Sequence, residues 1–179
     1  LINETDTANK MVSRLSDFLR YSLYKDPINK VPLEQEIYAA RLYLEIEKVR
    51  FSERLSIIID IEPGTEKALV PSLILQPLIE NAVKYAVASQ INGGTIIITG
   101  RKFGHDLLLE VADNGPGMTI TDGLPKGSDS GVGLVNTRER LAALYDKDFA
   151  LVLTHNQPRG LKVNIRIPLE LEETDPEHA

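Results

Sequence analysis

A short polar segment that follows an apolar run contains the residues best suited to bind a flat, polar ligand. Residues 113–118 read Asp-Asn-Gly-Pro-Gly-Met, and every second residue from Leu107 to Val111 before them is apolar. In a strand this spacing puts the first carboxylate on the same side as the apolar row. A carboxylate beside an apolar wall can accept a hydrogen bond from the amino group of a heterocycle, and Gly115 and Gly117 allow a ring to approach the backbone. The alternative is an ordinary Asp-Asn-Gly turn, which this segment favours when it is taken alone.

A pair of glycines opens the last predicted helix and supplies backbone N–H groups. Residues 131–134 read Gly-Val-Gly-Leu and stand between a flexible loop and a helix. The first N–H groups of a helix have no partner within it, so they can face phosphate oxygens. A hinge with a plain helix start is the alternative, and it is favoured when this motif is taken alone. A dinucleotide fingerprint is excluded, because a loop precedes the glycines and Asn136 stands where a third glycine is required.

Polar residues also interrupt the apolar helix that is predicted around residue 80. Glu80, Asn81 and Lys84 stand in a run that includes Leu78 and Val83. Asn81 and Lys84 are three residues apart and share one helix face. An amide oxygen can ligate Mg²⁺, and an ammonium group can contact phosphate. An equally favoured alternative for this segment alone is a Glu80–Lys84 ion pair on the solvent side.

Composition indicates a folded domain and disfavours or excludes several kinds of binding site. The chain has 179 residues, of which 42% are hydrophobic and 26% charged, so it can form a folded core. Its net charge of -6 disfavours a nucleic-acid-binding face, and the absence of cysteine excludes disulfides and thiolate metal sites. The histidines (His105, His155 and His178) fit no catalytic triad or metal-ligand spacing and are expected at the surface. No apolar run reaches the roughly 20 residues of a membrane-spanning helix, and no signal peptide is present.

Hydrophobic periodicity predicts two helices followed by a mixture of helices and strands. Helices are predicted over 5–24, 32–50, 71–88 and 131–145, with Pro77 expected to kink the third or delay its start. Strands are predicted over 55–61, 95–101, 106–113, 149–154 and 161–168, the second and third forming a hairpin around Gly104. The loop over 114–130 is long enough to act as a lid. Because most strands alternate, we predict an α+β two-layer sandwich and not a doubly wound parallel sheet.

In their order and spacing, the three polar segments together resemble the ATP-binding domain of the GHKL superfamily. This group includes sensor histidine kinases, Hsp90-type chaperones, type II topoisomerases and mismatch-repair ATPases. The stretches LSDFLRYSL, VPLEQEI, YLEIEKVRF and LQPLIENAVKY are similar to LytS-type sensor histidine kinases, in which a dimerising helical segment leads directly into the ATP-binding domain. The resemblance implies the GHKL (Bergerat) two-layer α/β sandwich with an N-terminal helical segment. It divides the chain into partial dimerisation helices and connector (1–51), the ATP-binding catalytic domain (52–169) and an acidic tail (170–179).

The resemblance also implies roles for individual residues. Asn81 is similar to the asparagine that ligates Mg²⁺ in the family, and Lys84 to a phosphate contact. Glu80 matches a recurring family position and belongs with these two in the implied catalytic set. Asp113 resembles the acid that binds adenine. Further positions implied to shape the pocket or contact the nucleotide are Tyr85, Gly115, Gly117, Met118, Gly131, Val132, Gly133 and Leu134.

Three features depart from the family pattern. The phosphoacceptor histidine of the family lies in a motif resembling HFLFN, which we expect upstream of this chain, so self-phosphorylation of residues 1–179 is not expected. The last strand usually begins with Gly-Thr, whereas here it begins with Gly160 and Leu161, which replaces a hydroxyl near the adenine by an aliphatic group. The water-activating glutamate of the ATPase branches stands where this chain has Pro77, which cannot act as a base.

These features predict the catalytic, ATP-binding part of a sensor histidine kinase that uses ATP and Mg²⁺. The γ-phosphoryl group would pass to a histidine upstream of the chain and then to an aspartate in the receiver domain of a response regulator. Since the chain begins with Leu1 and not Met, we expect it to be a fragment or a processed piece of a longer protein. With a sensor histidine kinase as the predicted function, we expect this part to be cytoplasmic and the full-length protein to be membrane-anchored. We expect a homodimer through the N-terminal helix, and contact with neither nucleic acid nor membrane.

Two other functions remain open at this point. The first is a degenerate nucleotide-binding and dimerisation module without kinase activity, which the aliphatic Leu161 favours. The second is an ATPase or serine kinase of the same superfamily, which Pro77 disfavours because the position lacks a base.

Overall fold

The computed structural model describes residues 4–24, 26, 29–121, 124–125 and 130–171. The helices are α1 (Glu4–Tyr24), α2 (Leu33–Phe51), α3 (Gln76–Ala82), which continues as a π-helix over Val83–Ala88, and α4 (Ser130–Tyr145), with a 3₁₀ turn at Ser52–Arg54. The strands are β1 (Lys30–Pro32), β2 (Leu55–Ile61), β3 (Leu69–Pro71), β4 (Gly94–Phe103), β5 (Asp106–Asp113), β6 (Ile120–Thr121), β7 (Leu124–Pro125), β8 (Ala150–His155) and β9 (Leu161–Pro168).

Five strands form one mixed sheet in the order β2-β4-β5-β9-β8. β2 pairs with β4 in parallel, and the other neighbours are antiparallel. The parallel pair requires a crossover, which α3 and its π-helical continuation provide. The strands alternate between buried and more exposed residues, as in β9, because one sheet face packs on helices while the other meets solvent. The mixed sheet with helices confirms the predicted α+β fold.

The hydrophobic core lies between this sheet and the helices α3 and α4. Its largest fully buried side chains include Ile96 and Ile98 of β4 and Leu107 and Leu109 of β5. Helix residues of the same cluster are Leu78, Ile79, Ala82, Val83, Ala86, Val87, Leu134 and Leu141. The core therefore fixes α3 and α4 against the strand that ends in Asp113.

The first two helices pack against each other ahead of the sheet. Arg14 forms an ion pair with Glu45 at 2.9 Å, and the rings of Phe18 and Tyr43 are 5.7 Å apart. One side of α1 remains exposed, although it is apolar. Its exposed apolar residues are Val12, Leu15, Leu19 and Leu23.

The third helix begins later than its apolar pattern predicts. We predicted a helix from Pro71, but Pro71 ends β3, which pairs with β1, and α3 begins at Gln76. Pro77 lies in the first turn, where its missing N–H costs no helical hydrogen bond. Of the two effects that we predicted for Pro77, the structure therefore shows the late start and not the kink.

The connection between the helical segment and the sheet domain is held by the residues that follow β9. Lys30 of β1 forms an ion pair with Glu170 at 2.6 Å. The backbone N–H of Leu69 donates to the carbonyl of Glu170 at 2.7 Å, and Ala68 forms a bridge with Leu171. Most of the predicted acidic tail (172–179), Pro27 and part of the predicted lid (122–123 and 126–129) lie outside the described residues.

Candidate functional site

A cleft opens where α3 and the start of α4 face the ends of β5 and β9. Its empty volume is about 450 Å³. The lining is mostly apolar, and its polar side chains are Asn81 and Tyr85 on the helix side and Asp113 at the end of β5. The full lining is Leu78, Asn81, Ala82, Tyr85, Val111, Asp113, Pro116, Gly117, Met118, Leu134, Leu161 and Val163.

Asp113 is a buried carboxylate at the end of the apolar row of β5, as its spacing predicted. Only 7% of the residue is exposed. Its Oδ1 accepts hydrogen bonds from the N–H groups of Gly115 at 2.9 Å and Leu161 at 3.3 Å. Burial raises the pKa of the Asp113 carboxyl, and these two donors oppose that rise. Because both hydrogen bonds within the described residues engage Oδ1, Oδ2 is left as the acceptor for a ligand in the cleft.

The turn that follows Asp113 is fixed by close packing. A side chain at Gly115 would place its Cβ 2.7 Å from the Cα of Ala86, so this glycine lets the turn approach the π-helix. Gly117 has a φ of 76°, which favours glycine. Asn114 anchors the turn to β4, because its Oδ1 accepts the N–H of Thr95 at 2.7 Å. Gly117 lines the cleft, whereas Gly115 supports the turn behind it.

The helix α3 and its continuation divide the predicted polar residues between two environments. Asn81 and Tyr85 line the cleft. Glu80 and Lys84 are exposed and are not part of the lining. Glu80 accepts a hydrogen bond from the side chain of Gln76 at 2.7 Å, and Lys84 lies 5.1 Å from the ring centroid of Tyr85. Among the described residues, the alternative Glu80–Lys84 ion pair does not form.

The Gly-Val-Gly-Leu motif lies in the first turn of α4. Leu134 is buried and lines the cleft, whereas Val132 is exposed. A Cβ at Gly133 would meet the side chain of Pro77 at 3.6 Å, so this turn approaches the start of α3. Gly131 belongs to the same turn, whose N–H groups lack helical partners.

Two residues that contact the end of β5 beside the cleft were not predicted as site residues. Asn156 donates from Nδ2 to the backbone carbonyl of Asp113 at 2.7 Å. Gly160 has a φ of 116°, and a Cβ there would lie 1.9 Å from the same carbonyl. Leu161, which we predicted to replace a hydroxyl near the adenine, lines the cleft. The one usable signal was the glycine before β9, since the apolar wall residues look like any core residues.

In the described part of the chain, His, Asp and Glu side chains form no group of three or more that could hold a metal ion. Within the same ranges, none of the helices combines the length and apolar character that crossing a bilayer requires.

Two family profiles match the chain. The profile of the histidine kinases matches residues 1–55. The profile of the histidine kinase-, DNA gyrase B-, and HSP90-like ATPases matches residues 66–171. The second match includes every residue of the cleft.

Curated relatives are similar over nearly the whole chain. Sensor histidine kinase YesM of Bacillus subtilis is 34% identical over 172 residues, which is 95% of this chain and 29% of that protein. Sensor protein LytS of Enterococcus faecalis is 29% identical over 179 residues, covering 96% of this chain and 30% of that protein. The chain thus spans less than a third of the length of these relatives.

Solved structures share the fold at low sequence identity. The catalytic domain of histidine kinase ThkA has a TM-score of 0.62 at 16% identity and covers 78% of this chain and 94% of that chain. Histidine kinase AdeS of Acinetobacter baumannii has a TM-score of 0.62 at 18% identity and covers 94% of this chain and 82% of that one.

Proposed function

Because this chain belongs to the histidine kinase-, DNA gyrase B-, and HSP90-like ATPase family and matches the sensor kinases within it, we propose that it binds Mg²⁺–ATP in the cleft between α3 and β5. The observation on which this proposal rests is Asp113, a buried carboxylate with one oxygen fixed by two N–H groups at the end of an apolar cleft.

The adenine ring is proposed to bind between the apolar walls of the cleft. Its amino group would donate to the Asp113 carboxylate, which replaces one hydrogen bond that the base loses from water. Gly117 and Met118 of the turn, Tyr85 of the π-helix and Leu134 of α4 all line this part of the cleft. Gly115 supports this pocket indirectly, since it lets the turn pack on the π-helix.

The phosphates are proposed to extend towards Asn81 and the first turn of α4. The Asn81 amide oxygen is a ligand of the kind that Mg²⁺ accepts, and it lies in the lining of the cleft. Lys84 and the N–H groups near Gly131 and Gly133 would neutralise phosphate charge, with Glu80 and Val132 at the edge of this group. A bound Mg²⁺ ion would supply charge neutralisation of the phosphate oxygens.

We further propose that the γ-phosphoryl group is transferred to a histidine in a segment upstream of this chain, and from there to an aspartate of a receiver domain. This step requires mainly positioning and charge neutralisation. The similarity to sensor kinases supports such a reaction, a homodimer through α1, and a cytoplasmic location of this part in a membrane-anchored protein.

A second candidate function is a nucleotide-binding module without transfer activity. Leu161 favours it, because its buried aliphatic side chain lines the cleft where the family usually has a hydroxyl. Tight Mg²⁺–ATP binding without transfer to the upstream histidine in the longer protein would support this candidate over the kinase.

The test of the binding proposal is Asp113→Asn. We expect calorimetry to show loss of Mg²⁺–ATP binding, because the amide presents a donor to the adenine amino group in at least one orientation and lacks the charge. The fold is expected to survive, since the amide oxygen can still accept the N–H groups of Gly115 and Leu161. Asp60→Asn on the exposed side of β2 is the matched control.

The thermal stability of the same variant follows from the pKa of Asp113. Because burial raises the pKa in the folded chain above its ordinary value, the ionised form costs folding free energy at any pH above the raised pKa. Asparagine removes that cost, so we expect the melting temperature at neutral pH to be equal or higher. Unchanged nucleotide affinity, or a collapse of stability, would contradict the assignment of Asp113.

A further inference from the structure

Glu36 is a buried carboxylate far from the residues of the cleft lining in sequence, yet it accepts hydrogen bonds from two other elements. It lies in the first turn of α2 and is 2% exposed. Oε1 accepts the N–H of Leu73 at 2.7 Å, and Oε2 accepts those of Ile74 at 2.9 Å and Leu75 at 3.2 Å.

These three N–H groups belong to the segment that starts α3. Leu75 is the N-cap of α3 and provides no side-chain cap. Leu73 has a φ of 58°, which is unusual for a residue other than glycine and persists only where neighbours hold it. Glu36 therefore substitutes for a local cap and fixes the direction in which α3 leaves this turn.

The opposite side of the same turn is held by α4. Arg140 donates from Nη2 to the carbonyl of Leu73 at 3.1 Å. Burial lowers the pKa of the Arg140 guanidinium, and the negative charge of Glu36 opposes that change. Residues 73–75 are thus clamped between α2 and α4, and the helices that leave this junction bring Asn81 and Leu134 to the cleft.

Helix α1 contacts the junction directly. The hydroxyl of Tyr21 donates to Oε1 of Glu36 at 2.5 Å, and Ser22 donates to the side-chain oxygen of Gln76 in the first turn of α3 at 3.3 Å. Burial raises the pKa of the Tyr21 hydroxyl, with the charge of Glu36 and this hydrogen bond as further causes, so the phenol stays a donor. The exposed side of α1 lies outside this contact.

We propose that Glu36 is a positioning residue for the nucleotide cleft and that Tyr21 links its carboxylate to α1. A movement of α1 that separates Tyr21 from Glu36 would loosen the start of α3 and so weaken nucleotide binding. By thermodynamic reciprocity, nucleotide in the cleft stabilises the contact between α1 and Glu36. This inference rests on the proposed function, since it needs a nucleotide in the cleft.

The variant that tests the link is Tyr21→Phe, which removes one hydroxyl and keeps the ring. Its matched control is Tyr38→Phe on the exposed side of α2. We expect Tyr21→Phe to lower the melting temperature by no more than about 4 °C, as one hydrogen bond predicts. Calorimetry with Mg²⁺–ADP is expected to show binding weakened about threefold to tenfold, and Tyr38→Phe is expected to bind like the unaltered chain.

The decisive measurement is amide hydrogen exchange in residues 18–24 of α1, with and without saturating Mg²⁺–ADP. In the unaltered chain and in Tyr38→Phe, we expect Mg²⁺–ADP to slow this exchange, although the nucleotide binds in the cleft and not at α1. In Tyr21→Phe the slowing is expected to disappear. A purely structural role for Tyr21 would change stability but would not remove a nucleotide-dependent difference.

Glu36→Gln gives a second reading, with Glu34→Gln on the same helix as its control. We expect Glu36→Gln to weaken Mg²⁺–ADP binding about tenfold or more, because hydrogen bonds to a charged acceptor are the stronger ones. If this variant does not fold, Tyr21→Phe still decides the question. Nucleotide binding with no effect on α1 exchange in the unaltered chain overturns the link alone, whereas absence of binding overturns the proposed function as well.

Discussion

Gly160 occupies a position where the end of β5 leaves no room for a side chain. Its φ of 116° and the 1.9 Å that would separate a Cβ from the Asp113 carbonyl both exclude other residues without a shift of the backbone. We expect Gly160→Ala to destabilise the chain by about 2–4 kcal/mol in urea unfolding. Nucleotide affinity should fall with it, because the shift moves the Leu161 N–H away from Asp113.

Gly104 provides the matched control for that prediction. It also has a positive φ, of 62°, but a Cβ there would meet nothing within 4 Å. Gly104→Ala should therefore cost only about 1 kcal/mol and leave nucleotide affinity unchanged. Equal losses in both variants would show that backbone conformation, and not the contact with Asp113, determines the effect at Gly160.

Leu161 makes the part of the cleft formed by the start of β9 apolar. We expect Leu161→Thr to bind Mg²⁺–ATP about two- to tenfold more tightly than Leu161→Val, because only threonine adds a hydroxyl that can hydrogen-bond near the base. Both variants remove buried carbon, so each should lose about 1–3 kcal/mol of stability. Equal affinities of the two variants in calorimetry would mean that the missing hydroxyl has no bearing on binding.

The residues that we propose to bind nucleotide with their own side chains were predictable from the sequence, whereas residues that act by packing against distant parts of the chain were not. Asp113 and Asn81 reached the same cleft as the sequence predicted, because each interrupts an apolar pattern. Glu36 has no such signal, since its donors lie 15 positions earlier, at Tyr21, and from 37 positions later, starting at Leu73. Gly115 was predicted to admit a ring, but it is needed first for the approach of Ala86.

Asn81 and Lys84 lie in different environments on α3 and its π-helical continuation. Asn81 lines the cleft and Lys84 is exposed, so their contributions should differ in kind. Asn81→Ala is expected to abolish the effect of Mg²⁺ on nucleotide affinity and to remove Mg²⁺-dependent transfer in the longer protein. Lys84→Ala should weaken ATP binding mainly at low ionic strength, because salt screens an exposed charge.

The control for Asn81 is Asn92→Ala in an exposed turn. It should leave both the Mg²⁺ dependence and the salt dependence unchanged. If Asn81→Ala retained the full response to Mg²⁺ in calorimetric titrations, another residue would have to be the ligand.

At the scale of elements, long periodic segments were predicted well and short paired ones were not. The limits of α1 and β2 agree with prediction within one residue. β1 and β3 have three residues each, which is too few for an alternating pattern. They form by pairing with each other across about 40 residues of sequence, with Lys30 opposite Pro71. This pairing uses the chain before Gln76, which explains the late start of α3.

At the scale of the whole molecule, α1 presents an apolar surface that no other described part of the chain covers. Val12, Leu15, Leu19 and Leu23 follow one stripe of α1 and are between 42% and 75% exposed. We expect the chain to form a dimer through this stripe, detectable as concentration-dependent association in sedimentation. Because each change acts twice in a symmetric dimer, Leu15→Glu with Leu19→Glu should weaken association about 100-fold or more.

The exposed Lys10→Glu is the control for the stripe, since it reverses a charge without removing apolar area. It should leave association within a few-fold of the unaltered chain. The melting temperature of the doubly substituted chain at low concentration should match that of the unaltered chain, and a monomer at every concentration of the unaltered chain would contradict the prediction.

The ion pair between Lys30 and Glu170 places the segment that leads into the sheet domain beside the segment that leaves it. Because both ends of the sheet domain lie at this one ion pair, a different sequence can be joined at either end without changing the path of the chain through the sheet. The segment ahead of residue 30 could therefore be exchanged for that of a related protein without rethreading the sheet, provided that the incoming helix keeps a donor for Glu36 at the position of Tyr21.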